Sequence, residues 1–319
     1  MFNPLKIIAV LILSTTLFSS TVIKPTKSFD AGGSVVDMVR YKDKLYVSTT
    51  ESIVSVFKLG SFKKLNVIKL PKIKDFMGNT IETKIYSVDV LDDKILILSQ
   101  GEHGFRNIEL HNDGKFNSII SVKDKLYIAK AKFLDKDNII FALLGNDIIS
   151  YNIKTKKRNW TKQASGSKFS NFVLNEDKSE IVICDESGDL KIMDTKTGKI
   201  KKVLANQNLD NVFQADYKNG IIITAGQDRR SVVYNLKTNS SYYKATNFLI
   251  YSAGLSPDGK IAGFANDEDN DVTIFNTQTK KKIAVLGDNK MTITNILFLN
   301  EKEVIISSDD RIVNYYKLK

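Results

Sequence analysis

After residue 30 the chain repeats itself at a regular spacing. Short β-branched runs, broken by polar turns, recur in groups. The third run of each group ends at an apolar or aromatic anchor: Phe57, Leu110, Tyr151, Met193, Tyr234, Phe275 and Tyr315. The spacings between anchors are 53, 41, 42, 41, 41 and 40 residues. No long stretch carries the 3.6-residue period of a helix, so helix content should be low. Seven units of nearly one size restrict the fold severely, because a few short strands cannot bury their apolar faces without a neighbour.

The units share a local grammar. Leu255 to Leu286 reads LSPDGKIAGFANDEDNDVTIFNTQTKKKIAVL, and Phe172 to Leu204 reads FVLNEDKSEIVICDESGDLKIMDTKTGKIKKVL. Each has a strand, a polar turn, an apolar strand, an acidic turn, an alternating strand, a Thr-Lys hairpin and a last strand. Turns such as Pro257-Asp258-Gly259 and Thr197-Gly198 have the chemistry that reverses a chain. Four strands per unit at this period predict an all-β fold, a seven-bladed β-propeller with four-stranded antiparallel blades. The last unit has strands near Ile293–Leu299, Val304–Ser307 and Ile312–Lys317, and then the chain stops one strand short. Thr21–Asp30 has no other partner, so it is expected to supply the missing outer strand of the seventh blade and remove an open edge.

The first 20 residues, MFNPLKIIAVLILSTTLFSS, have a basic start at Lys6, an apolar run from Ile7 and small residues Ser19, Ser20 and Thr21. That order is a secretory signal. The expected division is therefore residues 1–20 as signal peptide and residues 21–319 as propeller, with cleavage near Ser19–Thr21. An uncleaved N-terminal anchor is the other reading. Either way the folded part is exported, and with a single Cys its stability must come from a core rather than from cross-links.

Catalytic constellations are scarce. One Cys, Cys184, and two His, His103 and His111, exclude four-cysteine and two-Cys-two-His zinc sites, iron–sulfur clusters and CxxCH haem attachment. Cys184 lies in the apolar run Ile181–Cys184 and is expected to be buried. No phosphate-cradling glycine motif stands in a strand–helix setting. The acidic run Asn266–Asp271 does not match the EF-hand spacing and reads as a solvated turn. No catalytic, cofactor or metal residue is expected. The competing enzyme reading is an exported hydrolase or lactonase with a carboxylate-bound metal.

The formal net charge is +11, spread mostly as Lys through the hairpins. Outside the cytoplasm nucleic acid is an unsuitable partner, and the charge reads as solubility with mild steering toward an acidic partner or a membrane surface. The excess of the first spacing lies in Pro71–Ile85, which joins the outer strand of the first blade to the inner strand of the second. It is either a tolerated insertion or a binding loop bearing Lys72, Lys74, Phe76 and Met77, and a Phe-Met pair is unusual in a spacer. Arg229, Arg230 and Arg311, in corresponding turns of blades five and seven, are further partner-binding candidates, or Arg–Asp pairs that tie turns together. A protein partner, no stable membrane span once the signal is removed and a monomeric state are expected.

The units resemble WD repeats. An acidic residue stands six before the anchor as Glu51, Asp228, Asp269 and Asp309, and is read as a structural turn carboxylate. The Trp of the name is replaced by Tyr, Phe, Met or Leu, and the following Asp survives as Asp194. The hydrogen-bonded tetrad of that family is thus incomplete. The only Trp, Trp160, reads as an outer-strand packing residue. Several strings, among them KLYVSTTESIVSVF, LPKIKDFMGNTIETKIYSVDV, KILILSQGEHGFRNI, LNEDKSEIVICDESG, AGQDRRSVVY and FLIYSAGLSPDGK, are similar to the NapL-type accessory proteins of periplasmic nitrate reductase systems. The resemblance implies a periplasmic, non-catalytic propeller without cofactor that assists a nitrate reductase through protein–protein binding. A general scaffold of cell-envelope assembly is the alternative in the same class.

Overall fold

The computed structural model describes residues 22–318. The expected signal peptide, residues 1–20, and its cleavage point lie outside or at the edge of the described residues. Seven four-stranded antiparallel blades form a ring, and among the described residues helical structure is limited to two 3-10 turns, Glu102–Gly104 and Val122–Asp124. Every sequence anchor lies on the third strand of its blade: Phe57 on Ile53–Lys58, Leu110 on Arg106–Asn112, Tyr151 on Asp147–Asn152, Met193 on Leu190–Asp194, Tyr234 on Arg230–Asn235, Phe275 on Val272–Asn276 and Tyr315 on Ile312–Lys317.

Burial explains the strand texts. Second strands such as Lys94–Gln100 and Glu180–Asp185 are covered on both faces by neighbouring blades, so Ile95–Leu98 and Ile181–Cys184 are continuous apolar runs. Outer strands such as Lys64–Lys69 and Ile200–Leu204 are mostly exposed and rich in Lys, which discourages pairing with another chain. The core is divided into seven apolar clusters, one between each pair of adjacent blades, including the pair formed by blades seven and one.

The inner strands stand side by side around the channel, and that of blade seven, Ile293–Asn300, meets that of blade one, Val35–Tyr41. Polar side chains tie these strands together. The Asp37 carboxylate accepts from Val88 N at 3.1 Å, Asp89 from Phe133 N at 2.7 Å and Asp216 from Leu255 N at 2.9 Å. Gln214 accepts from Ser252 at 2.6 Å, and Asn295 donates to Val36 O at 3.3 Å. β-Bulges precede Asp37, Lys130, Asn171, Gln214 and Asn295, and each extra residue re-aims the strand toward the axis.

Closure occurs as the strand count requires. Lys27–Asp30 pairs antiparallel with Ile312–Lys317 as the outer strand of blade seven. Phe29 stacks on Phe62 at 5.0 Å and leans on Phe57 at 4.7 Å, while Phe62 meets Tyr315 at 4.7 Å. One element was not anticipated. Val22–Ile23 adds a fifth, parallel strand to blade six, beside Lys282–Leu286, and Ile23 packs on the core between blades six and seven. The N-terminal segment therefore clips two blades. Blade six is also built from small residues at the axis, where a Cβ on Gly254 would run into the Ile296 carbonyl of blade seven.

Two outcomes follow from this packing. Phe29→Ala should lower the unfolding free energy by about 3 kcal/mol, because it empties the middle of the closing cluster; an unchanged urea midpoint would show that the seam bears no load. Gly254→Val should destabilise by about 1–3 kcal/mol through overpacking, read as a lower melting temperature, whereas Gly166→Ala, in open space and without a positive φ, should cost less.

Candidate functional site

Antiparallel strands place two kinds of connection at one end of the ring: the links from one blade to the next, and the turns between second and third strands. This end is called the upper face. The long Pro71–Ile85 connection lies here and folds into its own hairpin, Ile73–Lys74 against Thr80–Ile81. Asp75 builds the tip. Its carboxylate accepts from Met77 N at 2.9 Å, Asn79 N at 2.8 Å and Asn79 Nδ2 at 3.1 Å, and these bonds, the Asn79 side chain first, hold its pKa below the ordinary value. Gly78, at φ +85°, makes the reversal that a side chain would strain.

The base of the hairpin is pinned to the blade. Ser52 donates to Glu82 at 2.6 Å and accepts from Thr83 N at 2.6 Å, and Thr83 donates to Pro71 O at 2.7 Å. Lys72 pairs with Glu82, and Lys74 donates to Thr80 Oγ1 at 2.8 Å, so both lysines brace the hairpin rather than reach outward. Phe76 and Met77 remain at the tip, 91% and 73% exposed, the two most exposed large apolar side chains among the described residues.

Sequence reasoning missed other apolar groups on the same face. Tyr127, Leu209 and Met291 sit exposed in blade-to-blade connections, and Leu144 in a second-to-third-strand turn. The available signal was an apolar residue within polar turn text, as in Asn208-Leu209-Asp210.

The arginines fall into different roles. Arg311 makes a two-pronged pair with Asp30 at 2.9 and 2.8 Å, across the closing strand. Arg230 lies over the Tyr243 ring at 4.5 Å and donates to Gln207 O at 2.8 Å. Arg229 extends from a turn at φ 64°, exposed, with no side-chain partner among the described residues. The hairpin and Arg229 share the upper face, while Arg230 and Arg311 are engaged within the ring.

The turn carboxylates also separate. Asp228 is held in a network: it accepts from Leu209 N at 2.7 Å and Asn208 Nδ2 at 3.2 Å, and Asn208 in turn accepts from Thr224 at 2.8 Å. Glu51, Asp269 and Asp309 are exposed, and Asp267 and Asp310 cap the turns beside the latter two. Blade four uses Asp185, eight residues before its anchor. This buried carboxylate accepts from Lys191 at 2.7 Å, Ser165 at 2.7 Å and Asn146 at 2.9 Å, and from Ser187. Burial pushes its pKa up, but the Lys191 and serine hydrogen bonds outweigh that and hold it below the ordinary value.

The chemistry-bearing residues are dispersed. Burial pushes the Cys184 thiol up to about 12, which leaves it inert at neutral pH. His111 packs edge-on to Phe116 at 4.8 Å, and burial lowers its pKa. His103 is exposed in a 3-10 turn. In the Asn266–Asp271 turn, burial and the neighbouring Asp267 and Asp269 carboxylates raise the pKa of Asp271. Among the described residues no group of three or more His, Cys, Asp or Glu side chains is placed to hold a metal ion. Trp160, on the outer strand of blade three, donates to Thr195 O at 3.1 Å and covers the hairpin of blade four. No helix among the described residues is long and apolar enough to cross a membrane.

No family model matches the chain, and no curated protein matches it at a significant level. Among solved structures, 1855 chains match. One, a chain of a mitotic checkpoint complex crystal structure, aligns over 100% of this chain and 98% of its own length at a TM-score of 0.74 and 13% identity. At that identity the likeness is one of fold: the chain has the architecture of a seven-bladed propeller.

The Asp185–Lys191 pair gives a test of the network. Lys191→Met should cost about 3–5 kcal/mol at neutral pH, because it leaves a buried carboxylate uncompensated. A carboxyl with a depressed folded pKa stabilises fully above its unfolded value and loses that contribution as pH falls through the folded one. The gap between wild type and variant in urea unfolding should therefore shrink as pH falls, from the point where the variant's uncompensated carboxyl takes up a proton down to the wild type's depressed folded value; a gap that is constant with pH would refute the assignment.

Proposed function

We propose that this chain is a protein-binding scaffold that docks through its upper face, with the Phe76–Met77 hairpin as the principal contact. The observation that carries this reading is two bare apolar side chains on a frame held by its own hydrogen bonds. A loop organised before binding loses little entropy on docking. Exposed Phe and Met at a tip are the residue types that fill a partner's apolar pocket. Tyr127, Leu144, Leu209 and Met291 extend the apolar character along the same face, and Arg229 adds one exposed charge.

The finer reading is a periplasmic accessory of a nitrate reductase system. It is supported by the secretory order of the first 20 residues, by the spread of NapL-like strings over the whole exported part, including the hairpin, and by the dispersal of reactive residues. The chain then acts without cofactor, as a monomer, on a protein partner.

The hairpin can be altered without touching a blade. Phe76→Ser with Met77→Ser should leave the melting temperature within about 1 °C, since surface changes outside the core are nearly neutral. The double substitution should weaken partner binding by about 30-fold or more, the loss of a hot spot worth about 2 kcal/mol. Pull-down from the periplasmic fraction with wild-type and doubly substituted protein reads this directly. Recovery of a nitrate reductase subunit by the wild type alone supports both levels of the reading. Recovery of a different protein by the wild type alone would retain the docking hairpin and reject the nitrate reductase assignment. Equal recovery by both would reject the hairpin.

A further inference from the structure

The channel contains a cavity of about 340 Å³ that the docking face does not use. It lies toward the opposite end of the ring, where the inner strands finish. Its charged lining is unbalanced. Lys132 pairs with Asp37 at 3.0 Å, and Lys218 with Asp216 at 3.2 Å. Asp89 is occupied by Phe133 N. Two further lysines line the same cavity and find only neutral acceptors among the described residues: Lys130 donates to Asn171 Oδ1 at 2.7 Å, and Lys178 to Phe133 O at 2.9 Å. Four lysines face three aspartates, so one positive charge is left over.

Lys130 is the cation held most unfavourably. It sits in the inner strand Ile128–Phe133 with its ammonium 5.5 Å from the Phe172 ring. Burial, reinforced by the Lys132 ammonium, pushes its pKa down to about 8; Asp37 and Asp216 oppose the shift without reaching it. An unpaired ammonium in a lined cavity is stabilised by any anion that enters. Met38, Phe172 and Leu297 form apolar walls beside it.

We propose that the channel cavity binds a small organic monocarboxylate, with the carboxylate received by Lys130 and the apolar body set against Phe172, Met38 and Leu297. The volume is at the lower end of small-molecule sites, which suits a compact acid. The charge count selects a monoanion. A second negative charge would face Asp37, Asp89 and Asp216 with no cation left to answer it. Inorganic phosphate, largely dianionic above neutral pH, is disfavoured for that reason.

Butyrate and benzoate are the probes. The purified exported protein is subjected to reductive methylation at pH 8, and each lysine is followed by peptide mass. At ten times its dissociation constant a bound acid should slow labelling of Lys130 by about tenfold relative to chloride at equal ionic strength. Exposed Lys290 should label equally in all conditions. Lys130→Met removes a buried unpaired charge, so it should melt no lower than wild type and lose any rise in melting temperature that the acid gives. If that variant does not fold, the labelling of the wild type still decides. Absence of protection by either acid would overturn the proposal, as would equal protection by phosphate.

Discussion

The ring depends on one seam. Six of the seven blade junctions join units that are neighbours in sequence, but the seventh joins residues about as far apart as the chain allows. Ser28 hydrogen-bonds Asn314, 286 positions away. Closing a loop of that length costs about 5 kcal/mol of chain entropy. The hydrogen bonds of a four-residue strand, at about 1 kcal/mol each, do little more than offset this. The seam is correspondingly the most aromatic junction, with Phe29, Phe57, Phe62 and Tyr315 in mutual contact. The exposed Arg311–Asp30 pair is screened by solvent, so its role is one of register more than of strength.

Once the ring is closed, every blade but the outermost strands is covered on both sides. That single condition explains why second strands are apolar throughout, why outer strands tolerate so many lysines and why inner strands carry polar residues. The inner positions face an axis where seven backbones converge. Their amides find acceptors in the side chains of the preceding blade, as with Asp37, Asp89 and Asp216.

Much of this could be read from the chain. The anchors found the third strand of every blade, because an anchor is the residue that each unit must bury against its neighbour. The outer strand of blade seven was legible from an odd strand count. The parallel pairing of Val22–Ile23 was not, since two residues have no periodicity. Counting six residues back from the anchor found Asp228 in its network but also reached Glu51, Asp269 and Asp309, which are exposed; turn length varies, and in blade four the working carboxylate is Asp185. The hairpin's position was legible from the long first spacing, but the bracing roles of Lys72 and Lys74 needed the register across it. Lys130 drew no notice because only the ring brings Asn171, Phe172 and Asp37 around it.

The N-terminal clip has a temporal consequence. The residues that complete blades six and seven are made before the strands they pair with. Val22–Ile23 can pair once blade six exists, but Lys27–Asp30 has no partner until Ile312–Lys317 has been made, so the closing strand waits, unpaired, until then. Closure is thereby coupled to completion of the seventh blade, and a chain that lacks Ile312–Lys317 has no partner for its closing strand. High contact order, usually a kinetic burden, here acts as a timer.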